Sequence, residues 1–181
     1  LGFGENTIME VCERQGIDLK SFLLICNVYT YDGYIPSVEL MSGADPATIV
    51  DYLHNSHSFY LLKEFTALEE ELKAMVEPCD ATQKKVVARF FSDYKAQVEN
   101  HFEYEERYAS YSIEQFEENH SNIDETLNDL KNIVMKYLPD TCDTVLRNQV
   151  LYRIYRLGED LLKHTLIEDN ILIPMVNKIE E

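Results

Sequence analysis

Apolar residues recur every three to four positions in four long stretches of this chain, and nowhere do they alternate with polar ones over a useful length. That is the period of helices with one buried face. The first stretch opens at Asp45-Pro46, an N-cap followed by proline at the first helical position. It carries Val50, His54, His57, Leu61, Leu68 and Leu72 on one stripe and stops at Pro78. The second runs from Thr82 to Arg107, with Val86, Val87, Phe90, Tyr94, Val98, His101 and Glu105 inward. Ser112 to Tyr137 is the third, burying Ile113, Phe116, His120, Ile123, Leu127, Leu130 and Val134, with Pro139 as its stop. The fourth spans Thr141 to Val176 and turns Leu146, Val150, Ile154, Leu157, Leu161, His164, Glu168 and Leu172 inward. Gly158 and Pro174 are the places for it to bend or fray. Four such stretches with short joints predict an all-α protein, an up-down-up-down four-helix bundle.

Ahead of the bundle, residues 1–35 read as a short helical appendage. Glu5 to Gln15 and Asp18 to Val28 form two helices broken at Gly16, packed through Ile8, Val11, Cys12, Phe22, Leu23 and Cys26. A unit of that size does not hold itself together, so it is expected to dock on the rest of the chain or on a partner. Tyr29 to Gly43 reads as an irregular connection with Gly33 and Pro36. The expected organisation is therefore an appendage over 1–35, a linker over 36–45, the bundle over 46–176 and a tail over 177–181. The chain begins at Leu1 rather than Met, as a fragment or a processed product would.

Composition narrows the partners. Against 16 Lys and Arg stand 33 Asp and Glu, a net charge of -17 that repels a phosphate backbone or an anionic membrane surface. Neither nucleic acid nor membrane is expected as a partner, and no apolar run is long enough to cross a bilayer. No basic-then-apolar leader opens the chain. Cys12, Cys26, Cys79 and Cys142 are scattered with no CxxC pair, which argues against a zinc ribbon, a thiolate-held cluster or a disulfide framework and fits a reducing cytoplasm.

The chemistry lies in the histidines. All five fall on stripes expected to be inward: His54 and His57 on the first helix, then His101, His120 and His164 one per helix. Two of them open the same motif, His101-Phe-Glu-Tyr-Glu105 and His164-Thr-Leu-Ile-Glu168. A spacing of four puts imidazole and carboxylate on one face, one turn apart, where both reach a common point. A buried carboxylate without compensation costs several kcal/mol, so two of them among histidines call for a cation. Mixed imidazole and carboxylate donors suit iron or manganese. Two Glu and four His suffice for two ions, each with two imidazoles and both carboxylates shared, leaving open positions for a small molecule. Periodicity does not separate His54 from His57. Only Glu117-Glu-Asn-His120 matches the Glu-x-x-His pair of ferritin-type oxidases, and no His-Glu-x-x-His zinc protease motif, phosphate-cradling loop or local nucleophile signature is present.

The order His … His-x-x-x-Glu … His … His-x-x-x-Glu, closed by Asp169-Asn-Ile-Leu-Ile-Pro174, resembles the hemerythrin-like (HHE cation-binding) domain over roughly residues 46–176. Within that superfamily it resembles most the di-iron proteins implicated in repair of iron–sulfur clusters. The resemblance implies two non-haem iron ions, carboxylate- and oxo-bridged, with His57, His101, His120 and His164 as terminal ligands and Glu105 and Glu168 as bridges. It assigns the ligand on the first helix to His57, because Leu53 and Leu61 flank it one turn away on either side. Implied partners are dioxygen or nitric oxide and damaged iron–sulfur proteins, and the implied role is cluster repair or response to nitrosative and oxidative stress. The alternative is a module that senses oxygen, nitric oxide or iron through the same site. Oxygen carriers in the family have a further His where this chain has Asp124, which weighs against reversible oxygen carriage. Repair proteins often carry an adjacent Cys pair in an N-terminal domain, whereas Cys12 and Cys26 are apart. Tyr104 and Tyr108, one and two turns past His101, are candidates to screen the site.

Overall fold

The computed structural model describes residues 4–107 and 113–177, and their side chains apart from those of 107, 113–121 and 177. Helix is the regular secondary structure throughout the described residues, and none of them lies in a strand. Among them, no helix is long and apolar enough to cross a membrane.

Local signals set the first helices. α1 (Ile8–Gln15) starts under a capping box in which Glu10 accepts from the Thr7 N–H at 2.7 Å and Thr7 accepts from the Glu10 N–H at 3.3 Å. It ends at Gly16, whose φ of 69° is left-handed and favours a residue without Cβ. α2 (Leu19–Thr30) is capped by Asp18. One Asp18 oxygen accepts from the Ser21 N–H at 2.8 Å, the Ser21 hydroxyl at 2.7 Å and the Asp45 N–H at 3.3 Å. The carboxylate thereby fastens the start of α2 to the residue before α4 (Pro46–Phe59). Burial pushes the Asp18 carboxyl up, but the hydrogen bonds from Ser21 and Asp45 outweigh it and hold the group below its ordinary value. In the stretch expected to be irregular, α3 (Val38–Met41) forms one short helical turn capped by Ser37.

Beyond α4 the helical path runs on through a π-helical turn at Tyr60–Glu64 into α5 (Phe65–Met75). α6 (Ala81–Arg107) and α7 (Ile113–Asn132) follow, with a second π-helical turn at Ile133–Tyr137. α8 (Thr144–Ile167) leads through a third, Glu168–Leu172, into α9 (Ile173–Asn177). Pro174 has no N–H to return to Asn170, and the π-helical turn sits immediately ahead of it. α8 runs unbroken through Gly158, and Leu127 of α7 stands 3.4 Å from where its Cβ would be, so the glycine permits close helix contact.

The chain forms two compact units, residues 1–55 with 162–181, and residues 56–161. In the first, Leu24, Val28, Ile49, Leu53, Ile167 and Ile171 make the core. In the second, Tyr60, Phe65, Leu68, Met75, Tyr94, Leu130 and Ile154 are among the most deeply buried. Each such side chain contributes about 1.5–3 kcal/mol on leaving water. Arg153 of α8 adds a polar clamp in the second unit, its Nε and Nη2 donating to Glu71 at 2.9 and 2.8 Å and its Nη1 to Glu64 at 2.9 Å.

Two details correct the expectations from sequence. On α6 the stripe is Val87, Phe91, Tyr94, Val98, spaced by four, three and four, so Val86 is exposed and Phe90 only half-buried. Cys79 and Cys142 are joined as a disulfide, sulfur to sulfur at 2.15 Å across 63 residues, while Cys12 and Cys26 are free. A pairing over that separation leaves no local spacing to read, and with it cysteine usage no longer speaks for a reducing compartment.

Candidate metal centre

α6 carries His101 and Glu105 one turn apart, and the spacing brings His101 Nε2 to 2.7 Å from Glu105 Oε1. From α4, His57 places its Nε2 3.2 Å from the other oxygen, Glu105 Oε2. One carboxylate thus presents each of its oxygens to a different imidazole. Both oxygens of a single buried carboxylate are thus engaged, each by an imidazole from a different helix.

The second copy of the motif lies at the end of α8. His164 Nε2 is 3.2 Å from Glu168 Oε1, and Glu168 is the residue at which the α-helix gives way to a π-helical turn. The Ile173 N–H reaches back to the Glu168 carbonyl, the five-residue step of a π-helix. All five of these side chains are buried, none more than 6% exposed. His57, Glu105, His164 and Glu168 are all buried and all offer ligand atoms of the kinds that hold a metal ion.

The donor chemistry fits a metal. Nitrogen and oxygen ligands bound about 2.0–2.2 Å from one ion stand roughly 3.0–3.4 Å apart when adjacent in its coordination shell. The His–Glu separations of 2.7 to 3.2 Å are close to that edge length. Protons on the imidazoles would satisfy the same contacts as ion pairs, so metal and protons compete for this set.

The remaining expected positions divide. His54 is exposed, contrary to the expectation that every histidine faces inward. The buried line of α4 is Ile49, Leu53, His57, continuing to Tyr60, and His54 stands about 100° round the helix from Leu53, off that line. Tyr104 is half-buried, and Asp169, next to Glu168, is also half-buried. The side chain of His120 and the whole of Tyr108 lie outside the described residues.

Two neighbours of His57 were not singled out from the sequence. The Phe102 ring stacks on the imidazole at 4.0 Å with 8° between planes, and Tyr60 lies beyond it at 6.0 Å. Glu106 Oε1 stands 3.3 Å from His57 Nδ1, the nitrogen on the far side of the ring from Glu105. The signal for Glu106 was its place directly after Glu105, which reads as one more solvated charge in an acidic chain. Further back on α6, Tyr94 is fully buried against Phe65, and burial, followed by the charge of Asp124, pushes its hydroxyl far above the usual tyrosine range.

Compared with protein families, the chain matches the one described as Hemerythrin HHE cation binding domain over residues 48–176. No curated protein matches it.

Proposed function

This chain belongs to the hemerythrin HHE cation-binding family, and from that premise we propose that it is a di-iron protein whose role is to handle iron or its diatomic ligands in repair of iron–sulfur clusters under nitrosative or oxidative stress. The observation that carries the di-iron part is Glu105, a buried carboxylate with one oxygen at each of two imidazoles. His57, His101, His120 and His164 are the proposed terminal ligands, and Glu105 and Glu168 the proposed bridges. They act on an up-down-up-down set of four helices. Two ferrous ions held there supply one-electron chemistry and open positions for dioxygen or nitric oxide.

The protein's own residues do the rest. Burial of His57, His101, His164, Glu105 and Glu168 excludes water and fixes their directions before metal arrives. The two carboxylates would offset part of the charge of the ions.

The iron-loaded chain tests the role when mixed with an apo iron–sulfur acceptor under anaerobic conditions. Repair predicts transfer of iron and recovery of the acceptor's cluster absorption. Iron that stays on the chain, together with a change in α1 and α2 on adding nitric oxide, would replace repair with sensing.

A further inference from the structure

We propose that Glu106 is a positioning residue for His57, accepting the Nδ1–H so that Nε2 is presented, unprotonated, to the metal. The inference rests on the metal-binding reading and adds to it a residue outside the ligand set. An imidazole has two nitrogens, and a hydrogen bond at one decides which is free to bind. In His57 the two are already distinguished: Nε2 faces Glu105 at 3.2 Å and Nδ1 faces Glu106 Oε1 at 3.3 Å.

The surroundings permit no easy exchange of those roles. Phe102 stacked at 4.0 Å and nearly parallel fixes the plane of the ring, leaving Glu106 to fix what happens within that plane. Glu106 itself is half-exposed, with 49% of its side chain open to water, while His57 is buried. Its carboxylate therefore remains hydrated and costs little to hold beside the site. It also reaches a nitrogen that water does not reach freely. Carboxylates bound to the second nitrogen of a ligating histidine raise its basicity as a ligand and hold its orientation, and losing one typically weakens metal affinity by about 10–100-fold.

Glu105 and Glu106 then divide the work between neighbouring positions of one helix. Glu105 points at Nε2 as a ligand. Glu106, about 100° further round α6, points at Nδ1 as an acceptor.

Zinc(II), a diamagnetic probe, tests this by chelator competition on the full chain. Glu106→Ala is expected to weaken zinc binding by about 10–100-fold, and Glu106→Gln, whose amide oxygen still accepts the hydrogen bond, to recover most of it. Glu99→Ala, which removes an equal charge about two turns earlier on α6, is expected to leave affinity within about twofold. Nitrogen-15 spectra of the zinc form should show a protected His57 Nδ1–H in the parent and Gln variants and its loss in the Ala variant. Unchanged affinity in Glu106→Ala overturns the inference alone. A Gln variant as weak as Ala, or a Glu99→Ala effect of the same size, assigns the loss to charge and overturns the positioning role. A parent chain that takes up neither zinc nor iron overturns the metal reading and this inference with it.

Discussion

The two His-x-x-x-Glu copies share a spacing but not a backbone. His101 and Glu105 sit within the long regular α6, and their side chains meet at 2.7 Å. His164 and Glu168 straddle the end of α8, where the helix widens into a π-helical turn, and they meet at 3.2 Å. The spacing of four alone brings imidazole and carboxylate together in both. What it does not set is the direction of the chain afterwards. An extra residue in one turn rotates every later side chain by about 100°, and π-helical turns of this kind concentrate at functional sites. The regular copy gains a second imidazole from α4, so that Glu105 serves two histidines at once.

If both copies contribute a bridge despite this difference, Glu105→Ala and Glu168→Ala should each abolish the two-iron state while circular dichroism keeps its helical signature. Metal analysis per chain reads the outcome, and two irons retained in either variant would remove that glutamate from the bridge. Next in size is the contrast within α4. His57→Ala should lower iron affinity by more than the roughly 100-fold upper range of outer-shell losses, whereas His54→Ala, at an exposed position, should stay within about twofold of the parent. A reversed ranking in chelator titrations would move the ligand to His54. The smallest effect lies away from the metal. Asp18→Ala should cost about 1 kcal/mol of stability through loss of the α2 cap, with iron stoichiometry unchanged. Because the folded Asp18 carboxyl lies below its ordinary value, its contribution is present above the unfolded value and is lost as pH falls through the folded one. Parent and variant melting temperatures should therefore converge in acid, and a gap that widens there would contradict the cap.

Much of this was legible in the sequence for one reason: burial on a helix repeats at a period that apolar residues record. Tyr94, Val98, His101 and Glu105 were read on one stripe of α6, and all four are buried. Val86 and His54 were misread because each adjoins a buried residue, and a shift of one position is the finest step periodicity resolves. The π-helical turns left no mark, since apolar residues continue through them. Glu106 was missed because its partner is on another helix. Composition says nothing of which charge in an acidic chain finds an imidazole.

The most direct measurement is iron per chain after anaerobic ferrous loading and removal of free metal, with absorption spectra before and after air. A bridged pair should give close to two irons and, after oxidation, near-ultraviolet bands of the ferric form. A folded chain that retains no iron, or a single ion without those bands, would contradict the paired site built on Glu105 and Glu168.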